Sequence, residues 1–331
     1  DTSSDSLSDT SDEDIIIEPL DQLDTSVRES RNLVAYRDSN ISAVQSALDK
    51  IWKIITKYAD KNYYLKNGWS DLMTADDKRK LSNIAKSVTG NCKTDYDKIR
   101  AVYTYITDNV YYDWDYADSP DDYPDRTHTA MEVMETNKAV CEGFASFSKV
   151  LLQLSGIPCV SIRGANHIYN AGYDSDQDTW VIFDTTLGTK NYHEDGDWHT
   201  DVSDMSFFDL SIEDSAKLKG HEILFINGLL PKENAGHYVL RTDVDNWTDT
   251  SAWYCALEDA NNKKAISVVD SIGGLPVLKV EDFAFDGDTN LVSVDMSKAK
   301  ITEIGPGAFR DCQHLSEVQL SDSLVSIGEY A

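Results

Sequence analysis

The chain has 331 residues, with 58 Asp or Glu against 30 Lys or Arg and a formal net charge of −28. Its 41% hydrophobic and 10% aromatic content is enough for a core of roughly two domains, while the acidic balance leaves no basic surplus to grip phosphates or anionic lipid. The longest apolar run, Ile223 to Leu230, is far short of the ~20 residues that span a bilayer, so no membrane insertion is expected.

The first residues, DTSSDSLSDTSDED, carry almost no apolar surface. Residues 1–20 therefore read as a disordered acidic linker, suited to holding a domain away from a surface anchor, and composition alone fits an arbitrary disordered tail equally well. Apolar residues then recur at helical spacing: Val44, Leu48, Ile51, Trp52, Ile55 and Tyr58. Thr74 with Asp77 suggests a capping box, and the helix behind it, with Leu81, Ile84, Ala85 and Val88 on one face, stops at Gly90. A third helix from about Asp95 turns Ile99, Val102, Tyr103, Ile106 and Val110 inward. The stretch 111–125, YYDWDYADSPDDYPD, reads as an irregular surface loop.

A short helix is expected from Ala130 to Glu135. Phe144, Phe147, Leu151 and Leu154 mark the next, closed by Gly156-Ile157-Pro158, which places Cys141 at or beside a helix N-terminus. Three strands follow at 159–164, 167–173 and 179–184, the last two joined as a hairpin through 174–178.

Cys141, His167 and Asp184 stand out along these elements. A helix start favours thiolate over thiol. A hairpin centred near Asp176 brings His167 opposite or diagonal to Asp184, with a one-residue slip enough to reverse the face. Thiolate, imidazole and an orienting carboxylate are the parts of a nucleophilic triad. Each residue also has a plainer reading: Cys141 as a small buried hydrophobe, His167 as a satisfied strand residue, Asp184 as a cap before Thr185-Thr186. The other cysteines, Cys92, Cys159, Cys255 and Cys312, form no CxxC pair or disulfide framework, and the seven histidines include no HExxH, so no metal or cofactor is expected.

Lys98 to Ile106 running into Asn109 to Asp113 resembles the helix before the nucleophile in bacterial transglutaminase-like proteins. Val140-Cys141-Glu142-Gly143-Phe144-Ala145 resembles that family's nucleophile motif, Asn166 to Asn170 its His motif, and Trp180 to Thr186 its closing strand. Phe207 to Leu210 and His221 resemble the tail of the domain. The resemblance covers roughly residues 40–230, within a domain placed at 21–230. It implies a papain-like α+β core, helices packed on an antiparallel sheet, and a thioester acyl-enzyme. Cys141 would be nucleophile, His167 base and then acid, and Asp184 its orienter. Tyr112 and Trp114 are candidates for an oxyanion donor beside the Cys141 N–H, with loop-closing aromatics as the plainer reading. Glu142 departs from the Gln common at that position, and its charge would oppose thiolate formation.

From Tyr238 onward small motifs recur. Ala284, Ala308 and Ala331 follow one another at spacings of 24 and 23, and Leu291…Val294 returns as Leu315…Val318. A period in the twenties signals a leucine-rich repeat, similar here to the BspA-like type, with Cys312 as packing. About two repeats are visible, so residues 231–331 read as a connector, including Trp247, Trp253 and Tyr254, and a truncated array that leans on the catalytic domain or continues beyond it.

The expected protein is a secreted or cell-surface bacterial cysteine enzyme acting on a protein or peptide amide, by transfer or hydrolysis, with repeats that bind a host or cell-surface protein. The alternative is an adhesion protein whose transglutaminase-like domain is inactive.

Overall fold

The computed structural model describes residues 41–66, 73–123, 128–164, 166–218, 220–230, 233–243 and 249–331. The acidic segment 1–20 and Trp247 lie outside the described residues. The architecture mixes helices with sheets and ends in a stack of short parallel strands. No helix among the described residues is long and apolar enough to cross a membrane.

The helix Ile41–Tyr58 buries Leu48, Ile51, Trp52 and Ile55. At the helix Ala75–Thr89 the capping box is complete: the Thr74 hydroxyl accepts from the Asp77 N–H, and the Asp77 carboxylate accepts from the Thr74 N–H. That helix ends at Gly90 in a right-handed conformation, φ −62°, so glycine here serves space rather than a left-handed turn. A Cβ would lie 2.5 Å from the Lys86 carbonyl oxygen. The helix Asp95–Asn109 buries Ile99, Val102, Tyr103 and Ile106, as its periodicity predicts.

The strands among the described residues run in chain order as β1 (Tyr111–Asp113), β2 (Lys138–Ala139), β3 (Cys159–Arg163), β4 (Ile168–Asp174), β5 (Thr179–Phe183), β6 (Tyr192–Glu194), β7 (Asp197–His199), β8 (Phe208–Leu210) and β9 (Phe225–Leu229), then β10 (His237–Arg241), β11 (Tyr254–Asp259), β12 (Ala265–Ser267), β13 (Ser271–Ile272), β14 (Leu275–Val280), β15 (Ser293–Asp295), β16 (Glu303–Ile304), β17 (Glu317–Gln319) and β18 (Ser326–Ile327). Residues 111–114 correct the expectation of a wholly irregular surface loop. β1 pairs in parallel with β2 and β6, and Tyr112, Asp113 and Trp114 are buried. Aromatic area outweighed the turn-like composition there.

The helix Cys141–Leu154 lies on β3 and β4 and buries Phe144, Phe147, Val150 and Leu151. Gly143 lets β2 and the helix Ala130–Thr136 crowd its first turn: a Cβ there would sit 2.8 Å from the Ala139 Cβ. Asn170, on β4, donates toward the carbonyls of Ala145 and Val160, tying the helix to the sheet from a 1% exposed position.

One sheet runs β18-β16-β14-β11-β10-β9-β3-β4-β5-β8, with β13 beside β14. The strands of the repeats thus continue the sheet that carries the candidate site. β12, β15 and β17 form a second, parallel stack. Val294 pairs with Val318 across it, the 24-residue offset of the repeat. Inside the repeats Leu291, Val294, Met296, Ile301 and Ala308 are buried, and the rings of Phe285 and Phe309 stack 5.0 Å apart. Cys312 is only partly buried, its thiol turned to the Phe285 carbonyl. Trp253 is fully buried in the connector.

Candidate active site

Cys141 is the first residue of its helix, and Val140 in the N-cap position offers no side-chain hydrogen bond. The first-turn N–H groups are therefore not claimed by a capping side chain, and the positive end of the helix dipole faces the thiol. Cys141 is half-buried and free of any disulfide.

His167 sits one residue before β4. The hairpin pairs Asn170 with Phe183 and Gly172 with Val181, a register one residue beyond the centre expected at Asp176. That difference matters, because the observed register sets His167 diagonal to Asp184 on the same face. The His167 Nε2–H donates to Asp184 Oδ2 at 2.6 Å, with both side chains almost fully buried. Among the described residues the ring's Nδ1 has no hydrogen-bond partner, and the Cys141 thiol lies near enough to the ring to act on it. Burial alone would push the imidazole toward neutrality. The Asp184 charge, its hydrogen bond and Cys141 overcome that and lift the imidazolium to about 10.

Asp184 serves two structures at once. Its Oδ1 accepts from the Leu187 N–H at 2.9 Å, capping the turn Thr185–Gly188, while Oδ2 faces the imidazole. The one carboxylate thus caps a turn and faces an imidazole at the same time. Burial raises this carboxyl, but two imidazoles outweigh burial and hold it well below the usual carboxylate range. The second imidazole is His221, whose Nε2 lies 2.9 Å from the same Oδ2.

Tyr112 and Trp114 meet at ring centroids 4.5 Å apart. Burial, and then the nearby Cys141, push the Tyr112 phenol far up, so it stays protonated beside the thiol. The Trp114 indole N–H is buried with no hydrogen-bond partner among the described residues. Glu142 pairs with Arg163 at 2.9 Å on a half-exposed surface, so a cation stands against the charge that would oppose a thiolate.

Among the described residues, two clusters bring potential metal-ligating atoms close together. In His167, Asp184 and His221 those atoms are engaged in hydrogen bonds with one another. In Asp113, Asp115 and His193 the Lys138 ammonium already stands 3.6 Å from Asp113.

Residues 82–185 match the transglutaminase-like superfamily, and residues 276–331 match the BspA-type leucine-rich repeat region in 6 copies. The chain thus carries a transglutaminase-like domain followed by BspA-type repeats. No curated protein matches it. Among solved structures it is similar to a candidate cysteine protease from Cytophaga hutchinsonii (21% identity, 39% of this chain and 48% of that one, TM-score 0.27). It is also similar to a TGase (21% identity, 38% of this chain and 37% of that one, TM-score 0.27) and to a leucine-rich repeat protein of T. pallidum (27% identity, 27% of this chain and 39% of that one, TM-score 0.23). The chain spans less than half the length of each.

Proposed function

We propose that this chain is a cysteine acyltransferase or amidase of the secreted or cell-surface kind, with Cys141, His167 and Asp184 as its triad and the repeats as its target-binding part. The observation that carries the reading is His167, buried between a carboxylate on Nε2 and the Cys141 thiol at the open end of a helix.

The Cys141 thiolate attacks the amide carbonyl of a protein or peptide, forming a C–S bond. The oxyanion is held by the Cys141 N–H, with Tyr112 or Trp114 as the second donor. The imidazolium gives its Nδ1 proton to the departing amine, the C–N bond breaks, and a thioester remains. A second amine or water then attacks the thioester, Nδ1 takes the incoming proton, the C–S bond breaks, and the thiolate–imidazolium pair is restored. Asp184 stays ionised throughout and keeps the Nε2–H tautomer. Partners of the repeats are host or cell-surface proteins in this reading, and the division at 21–230 and 231–331 separates catalysis from recognition.

The test offers the full chain a fluorescent primary amine with a glutamine-rich protein, and separately a peptide library. Amine incorporation or peptide cleavage that disappears in Cys141→Ala supports the reading. Neither product would overturn it and leave a binding protein with an inactive domain.

A further inference from the structure

His221 is the group the triad does not account for. It is fully buried, 54 residues after His167 in sequence, yet its ring lies 5.7 Å from the His167 ring and stacks on Tyr169 at 3.9 Å and 8°. Its position is built. Gly164 lies under the Gly220–Glu222 segment so closely that a Cβ would sit 2.0 Å from the Gly220 carbonyl oxygen, and Gly220 itself has φ +82°. Tyr169 donates its hydroxyl to the His221 carbonyl at 3.0 Å, and Ser215 meets Nδ1 at 3.0 Å.

The protonation pattern follows from the partners. Asp184 is ionised, so His221 Nε2 must carry the proton and donate it. Burial keeps the His221 ring neutral, so Nδ1 accepts and the Ser215 hydroxyl donates to it. Asp184 therefore spends its charge on three donors: His167, His221 and the Leu187 N–H.

We propose that His221 is a positioning residue of the same reaction, a neutral second imidazole that locks the Asp184 carboxylate and draws off part of its charge from His167. This rests on the triad reading above. The mechanism needs an imidazolium that can release its proton to the leaving amine. A carboxylate aimed at His167 alone holds that proton more tightly, and a shared carboxylate holds it less. The charged and titratable groups around His167 are Cys141 on its helix, Asp184 after β5, His221 before β9, and Tyr169 on β4. Behind them Glu222 neighbours Tyr169, and Tyr103 neighbours Asp184.

The test records the rate of Cys141 alkylation by a neutral haloacetamide against pH in the full chain. The variants are His221→Phe, His221→Gln, Ser215→Ala and His167→Ala. Phe keeps the ring volume and the stacking on Tyr169 but removes the donor. Gln restores an N–H near Nε2. The upper limb, where the imidazolium loses its proton, moves upward by about one pH unit in His221→Phe. It returns toward wild type in His221→Gln and shifts partway in Ser215→Ala. Turnover in His221→Phe falls about tenfold through kcat, with KM unchanged. Wild-type limbs in His221→Phe, or equal shifts in Phe and Gln, overturn the proposal. If His167→Ala labels like wild type, the triad reading itself fails, a result distinct from either. Should His221→Phe not fold, the Ser215→Ala and His221→Gln profiles decide.

Discussion

The two halves of the molecule handle charge in opposite ways. Beside Cys141 a polar cluster lies inside: His167, Asp184 and His221 are each at most 4% exposed and hydrogen-bond through one carboxylate. In the repeats the interior is mostly aliphatic and aromatic, apart from the buried Glu281 that pairs with Arg241, and the pairs of Arg310 with Asp286 and Lys279 with Glu303 reach the outside. A buried ionised network is costly unless every partner is in place, so the first half has the form of a reacting site. A repeat whose units bury apolar faces on one another has the form of a surface on which side chains can change freely. One sheet joins them through β9, β10 and β11.

Substitutions break or sharpen this contrast, and the largest effect is expected at the thiol. Cys141→Ala abolishes turnover while circular dichroism and melting stay close to wild type, since the residue is only half-buried. Asp184→Asn comes next. It removes the charge shared by two imidazoles, and turnover should drop by roughly 10²–10⁴-fold. Removing the carboxylate altogether, Asp184→Ala, costs on the order of 3–5 kcal/mol in denaturant melts, the scale for stranding one side of a buried pair. In the repeats Phe285→Ala deletes a ring at 2% exposure that stacks on Phe309. It lowers stability by about 3 kcal/mol but leaves kcat on a small acyl substrate unchanged. Arg310→Ala, at a solvent-exposed pair, leaves the melting temperature unchanged within error.

Stability against pH sharpens the same contrast. His167 is raised in the folded state, so its contribution is full below the ordinary histidine range near ~6.5 and is lost as pH climbs toward about 10. Asp184 is depressed, so its contribution is present above ~4 and is lost as pH falls below the usual carboxylate range. A melting curve that declines from neutral toward pH 10 in wild type, but not in His167→Gln, would show the buried imidazolium directly.

The repeats were legible from periodicity. The offset between Leu291…Val294 and Leu315…Val318 reappears as the register of β15 on β17, because the same contacts recur in every turn. The helix starting at Cys141 was legible for a similar reason. The site was legible only in part. Cys141, His167 and Asp184 sit on recognisable elements, but whether the hairpin sets His167 and Asp184 on one face depended on a single residue of register, which composition does not specify. The burial of Tyr112 and Trp114 was hidden because an Asp- and Pro-rich stretch looks like a loop whatever packs on it. His221 follows Asp184 by 37 residues, and only the turn at Gly220 and the space at Gly164 bring it back. The resemblance set His221 in the tail of the domain, but nothing in the sequence around it marks its return to Asp184.

The most direct test of the account is the pH dependence of Cys141 alkylation in wild type and in His167→Ala. The account predicts fast labelling well below ~8.5, the ordinary thiol range, and its loss when the imidazole is removed. Ordinary thiol behaviour in both proteins would contradict a thiolate–imidazolium pair and leave the repeats as the working part of the molecule.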